Sequence, residues 1–116
     1  MISKNHRLAI TRMVLKLIVN LHRWRFPADR KLGPDIILTI IFAASVNTYD
    51  AGLPITASKI AHFLELPRET TRRHLQTLVR FGLLTRRDRN YSPTEWAVHN
   101  YTNKAADLVK ETAAML

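Results

Sequence analysis

Cysteine is absent from the 116 residues, so neither a disulfide nor a thiolate metal site can support or equip the chain. Glycine is scarce, with three residues, and no Gly-rich phosphate loop can be drawn from them. Long apolar runs are missing too. The most apolar stretch, residues 36–44, is interrupted by Thr39 and is about half of the roughly 20 residues a membrane span needs. Near the start, Lys4 and Arg7 precede apolar residues, but Arg12 and Lys16 break the core a signal peptide would require. The chain therefore reads as soluble, unprocessed and cytoplasmic, with no membrane partner. The carboxylates do not pair and no Ser-His-Asp order stands out, so catalysis has no support and the protein is not expected to be an enzyme. His6, His22, His62, His74 and His99 show no short metal spacing, and neither a metal nor another cofactor is expected.

What is present is positive charge. Eighteen Lys and Arg face nine Asp and Glu, a formal net charge of +9. Residues 1–31 hold 8 basic and 1 acidic, and residues 56–90 hold 8 basic and 3 acidic. The rest of the chain is slightly acidic. Charge so concentrated fits a polyanionic partner better than general solubility does.

Periodicity and punctuation predict five helices and a short β-hairpin within a single domain over 1–116. The first helix spans about Ser3 to Arg25, with Ile10, Val14, Leu17, Leu21 and Trp24 in one stripe and Leu8, Leu15, Ile18 and Val19 widening the arc. An apolar surface that wide must be covered from more than one side, and a second subunit is a natural cover. Burial under the C-terminal helix alone is the plainer alternative. The second helix should open at Gly33-Pro34, with Pro34 at its first position and Asp35 favouring its positive end. It is apolar nearly all round and so forms the centre of the core.

Residues 53–94 are more specific. Leu53-Pro54-Ile55 is a short extended piece and Thr56 a good N-cap; Ala57, Ile60, Ala61 and Leu64 share one helix face. Glu65-Leu66-Pro67 makes a turn, Pro67 preventing the helix from continuing. A second helix from about Arg68 to Phe81 turns Thr71, Leu75, Leu78 and Val79 inward. Glu69, Arg72, Arg73, Gln76 and Arg80 face outward, flanked by Thr70 and Thr77. Gly82 suits the left-handed C′ position. Two short helices joined tightly, the second with an Arg/Gln/Thr outer face, form a helix-turn-helix. The chemistry fits double-stranded DNA, because Arg forks onto guanine, Gln pairs with adenine and Thr reaches phosphates. Leu84 can face the core while Arg86, Arg87, Asp88 and Arg89 sit at a hairpin tip, Asp88 within reach of an ion pair to one of them. The DNA-contacting set is then Arg68, Glu69, Thr70, Arg72, Arg73, Gln76, Arg86, Arg87 and Arg89. Taken singly, these arginines would be ordinary solvated charges; their grouping on one motif favours DNA.

The segment PITASKIAHFLELPRETTRRHLQTLVRFGLLTRRDRNYSPTE resembles the winged helix-turn-helix regulators, the MarR family most closely, with IclR and ArsR as cousins. The hairpin is several residues shorter than that family's wing. The resemblance implies a mainly α fold, with long N- and C-terminal helices around a winged core. It also implies a homodimeric transcription regulator of a bacterium or archaeon that answers to a small aromatic ligand. On this reading residues 1–31 are the dimerisation helix and loop, 32–94 the winged core and 95–116 the C-terminal helix. Ser92-Pro93-Thr94-Glu95 reads as a capping box with Pro93 at the first helical position, whereas the family pattern puts the cap at Thr94. Val98, Tyr101, Ala105, Leu108, Val109 and Leu116 share a face of the helix that follows. Trp24, Tyr49 and Trp96 could line an effector pocket, although aromatics at helical spacing more often simply pack. A winged helix serving as a protein-interaction module in a larger complex is the alternative function.

Overall fold

The computed structural model describes residues 3–99 and 101–116. Elements follow in the order α1 (Lys4–Arg25), α2 (Leu32–Asp50), α3 (Ala57–Leu64), α4 (Arg68–Arg80), β1 (Leu84–Arg87), β2 (Asn90–Pro93), α5 (Glu95–Val98) and α6 (Tyr101–Ala114). This is a mainly helical winged helix-turn-helix.

α2 is the core helix. By length and composition it could cross a membrane, but α1, α3, α4 and β2 pack around it. Ile41 and Phe42 are wholly buried there, together with Ile60 of α3, Leu75 and Leu78 of α4, and Leu83. Phe26, just past α1, meets Phe42 and Phe81 edge-on, with ring centroids 6.4 and 5.8 Å away. Buried hydroxyls within α2 donate back along the helix, Thr39 to the Asp35 carbonyl and Ser45 to the Ile41 carbonyl.

α2 starts at Leu32, two residues before the Pro34 expected to begin it, and Lys31 at its N-cap offers no side-chain cap. Asp35 is not a solvated charge near the helix dipole. It is 1% exposed and is gripped by two side chains from the preceding segment. Its Oδ2 accepts from His22 Nε2 and from Arg30 Nε, both at 2.8 Å, and Oδ1 accepts from the Arg30 terminal nitrogen. Arg30 also lies over the Phe81 ring at 4.9 Å. These contacts hold the loop between α1 and α2.

Arg25 is equally structural. Buried at the end of α1, it donates from Nε to the Ala97 carbonyl at 2.6 Å and from a terminal nitrogen to the His99 carbonyl. Its guanidinium sits 5.4 Å from the Trp96 ring centre. Desolvation lowers its pKa from the ordinary arginine value. Arg25 and Arg30, both from the basic N-terminal segment, are thus committed to tertiary structure.

The C-terminal region departs from expectation. Thr94, not Ser92, is the cap: its hydroxyl accepts from the Ala97 amide at 3.1 Å and donates to the Gly82 carbonyl at 2.7 Å. Pro93 belongs to β2, because Leu84 pairs with it across the hairpin. The single helix expected here is one turn, α5, followed by His99 in extended conformation and then α6. α6 packs on α1 and buries Leu108 of the predicted face together with Thr112, whereas Val109 and Leu116 of that face are about half exposed, so only part of the predicted face is buried. The side chain of Tyr101, assigned to that face, lies outside the described residues.

α1 is incompletely covered. α2 and α6 pack against it, yet Leu8, Val14 and Leu15 remain 52%, 47% and 63% exposed. Between α1 and α2, Val14, Leu17, Ile18, Ile40 and Ala43 line an open apolar groove of about 250 Å³.

Candidate nucleic-acid interface

Both helices of the helix-turn-helix are fixed by local chemistry. The Thr56 hydroxyl accepts from the Lys59 amide at 3.2 Å and starts α3. α3 runs to Leu64 and turns at Glu65, within the predicted Glu65-Leu66-Pro67 turn. Glu65 adopts the left-handed region at φ 56°, and the Leu66 amide reaches back to the Ala61 carbonyl at 2.9 Å. Pro67 caps α4, its carbonyl accepting both the Thr71 amide and the Thr71 hydroxyl at 3.0 Å. At the far end Gly82 takes φ 78°, and the Leu83 amide donates to the Leu78 carbonyl while the Gly82 amide donates to that of Val79. That Schellman arrangement buries Leu83 completely and launches β1.

α4 turns Thr71, Leu75 and Leu78 into the core with Val79 partly buried, as its periodicity predicts. Of the outer residues, Arg68, Glu69 and Arg73 are exposed, and Thr70, Arg72 and Gln76 are half-buried. The Thr70 carbonyl accepts from His74 Nδ1 at 2.8 Å. Glu69 collects two arginines. Its carboxylate accepts from Arg72 Nε at 2.9 Å and from a second Arg72 nitrogen, and lies 3.4 Å from Arg73 Nε. The Arg72 hydrogen bonds hold the Glu69 carboxyl down at about 2, and in return raise the Arg72 pKa.

The wing is a two-stranded antiparallel hairpin in which Arg86 faces Tyr91 and Arg87 faces Asn90, leaving Asp88-Arg89 as a two-residue turn. Asp88 supplies the left-handed position the turn needs, at φ 55°. It makes no ion pair with a neighbouring arginine among the described residues; its backbone carbonyl accepts from Arg86 Nε at 2.7 Å instead. Tyr91 anchors the wing, buried with its amide donating to the Ile55 carbonyl at 2.9 Å.

Four of the predicted arginines converge. Arg68 and Arg72 from α4, with Arg86 and Arg89 from the wing, line one cleft of about 620 Å³ whose other walls are Thr56, Ala57, Ser58 and Tyr91. Arg87 is not among the lining residues, because strand alternation turns it opposite to Arg86. Arg73 and Gln76 also lie outside the cleft, on the open face of α4. Thr56 and Ser58 join the predicted set; in the sequence they signal no more than the start of a helix. They bring the first amides of α3, which have no intrahelical partner, to the same cleft.

Other candidates do not assemble. His22 and His74 are occupied as described, and His6 Nε2 contacts the Leu116 carbonyl at 3.1 Å. Trp24 lies beneath Lys104 at 5.1 Å, Trp96 against Arg25, and Tyr49 is exposed near the far end of α2. None of the three aromatics lines any of the clefts described among these residues.

Residues 46–88 match the family model of the IclR helix-turn-helix domain. The match runs from the end of α2 through α3 and α4 to the wing tip. It supports a DNA-binding transcription regulator of the winged helix-turn-helix type, and it is to the IclR type and not to the MarR family. No curated protein and no solved structure matches the chain.

Proposed function

We propose that the chain is a sequence-specific, double-stranded DNA-binding transcription regulator of the cytoplasm, acting as a homodimer. α4 enters the major groove and the wing lies on the backbone or in the minor groove. The observation that carries this reading is the cleft in which recognition-helix and wing arginines meet. Arg68, Arg86 and Arg89 around the start of α3 form a surface for phosphate, while Arg72 at the cleft wall and Arg73 and Gln76 beside it are placed for base edges. The protein is read as a binding module, not an enzyme.

Salt-titrated binding to duplex DNA tests it. Affinity should fall steeply with salt, and Arg86→Ala or Arg89→Ala should each make the slope shallower by about one unit for every phosphate the side chain no longer neutralises. Arg87→Ala should change it less, since Arg87 points away from the cleft. Binding that ignores salt, or a chain that captures no duplex, would return the fold to the protein-interaction role.

The dimer rests on the uncovered face of α1. Residues 1–31 and 95–116 then frame the 32–94 core, the one part of a MarR-like layout the proposal retains. A two-fold pair would set two α4 helices about 34–36 Å apart, one DNA turn. Sedimentation at micromolar concentration should give a dimer, and Leu8→Asp combined with Leu15→Asp should give a folded monomer. These two are chosen because Leu21, on the same helix, is 4% exposed and its replacement would unfold the core. A parent protein that sediments as a monomer would contradict the proposal.

A further inference from the structure

A carboxylate on the DNA-facing side of a recognition helix works against binding a polyanion, so Glu69 calls for a reason. Stability is a weak one, because its ion pairs are solvent-exposed and such pairs contribute little. A place in the first turn of α4, where negative charge suits the helix dipole, would explain an acid but not its grip on two arginines. The geometry is more informative. Arg72 spends its Nε edge on Glu69, in a side-on fork. The other edge of the guanidinium, its remaining terminal N–H groups, has no hydrogen-bond partner among the described residues. That end-on fork is the one that pairs with O6 and N7 of guanine. Glu69 also cancels one positive charge where Arg72 and Arg73 would otherwise attract any phosphate nearby.

We infer that Glu69 is a specificity-determining positioning residue, which fixes Arg72 for end-on reading of a guanine and restrains the helix from indiscriminate phosphate binding. This rests on α4 entering the groove as proposed above. Glu69 trades general affinity for discrimination, and because its carboxyl stays ionised down to about 2, it does so at any physiological pH.

The test begins with a duplex site selected by the parent protein from a random pool, and a scrambled duplex of equal length. Glu69→Gln keeps the side chain's size and helical preference while removing its charge. The variant should bind the scrambled duplex about sevenfold more tightly at 0.15 M salt, with a slope steeper by about one unit. Its preference for guanine at one position of the site should fall about tenfold. Arg72→Met, which keeps the aliphatic stem but offers no donor, should lose the same guanine preference. Unchanged slope and preference in Glu69→Gln would overturn the inference and leave the DNA-binding reading intact. A steeper slope with unchanged base preference would overturn the positioning of Arg72. A parent protein that selects no duplex at all would instead remove the functional reading on which the inference stands.

Discussion

Replacing both Arg72 and Arg73 with Ala is expected to cost about 2–6 kcal/mol in binding a cognate duplex, on the basis of about 1–3 kcal/mol for each bidentate pairing with a base. Even the lower figure is about a thirtyfold loss of affinity. The effect should be confined to binding. The Arg73 side chain is 74% exposed and the Arg72 side chain 41%, so neither holds up the core, and surface changes of this kind usually stay within about 0.5 kcal/mol of the parent's stability. Thermal melts should therefore nearly coincide while gel shifts diverge. The loss should also depend on sequence, separating it from that of Arg86 or Arg89, whose removal is expected to weaken binding to every duplex alike. A double variant that binds the selected site as well as the parent would mean that α4 is not the reading helix.

The helix-turn-helix is legible in the sequence because its determinants are local. Thr56 starts α3, Gly82 ends α4, and the spacing of Thr71, Leu75 and Leu78 orients the outer face, all within one turn of where each acts. The outer face predicted for α4 places Glu69, Arg72 and Arg73 together, but the ion pairs among them, at spacings of three and four residues, emerge only in the structure. The division of the wing arginines needs only strand alternation, once Asp88-Arg89 is taken as the turn. What the sequence hides are partners brought together by the fold. Arg25 meets the Ala97 carbonyl across 72 residues, and periodicity says nothing of such a contact. The end of α3 is obscured for a different reason. Glu65 carries the left-handed position that glycine usually supplies, so the sequence places the turn at residues 65–67 without revealing which residue closes α3. The cap at Thr94 is masked because Ser92 and Pro93 satisfy the same pattern and only their pairing in β2 excludes it.

The Asp35 cluster should be the most sensitive point of the framework outside the apolar core. Asp35→Ala removes the acceptor shared by His22 and Arg30, leaving a buried imidazole N–H without its partner. Breaking a buried pair costs about 3–5 kcal/mol, and the lower end applies here because the Arg30 side chain is 39% exposed and water screens that half of the cluster. The pH dependence has a definite sign. The Arg30 hydrogen bond, opposed by burial and reinforced by His22, lowers the Asp35 pKa below its ordinary value. A carboxyl with a lowered folded-state pKa contributes its full stability above the unfolded value, near 4, and loses it as pH falls through the folded one. Denaturant melts of the parent should accordingly be flat in this respect above about pH 5 and weaken in acid. Asp35→Asn should be less stable at neutral pH and have a shallower acid limb. Parallel acid limbs in parent and Asp35→Asn would show that other carboxylates govern the acid transition. The consequence for function runs through α1, because His22 lies on it and Asp35 on α2. Loosening that joint lets the N-terminal helix shift against the reading head. A dimer built on α1 would then lose the fixed spacing of its two α4 helices, so Asp35→Asn should weaken binding to a paired site more than to a single half-site, at temperatures where the variant remains folded.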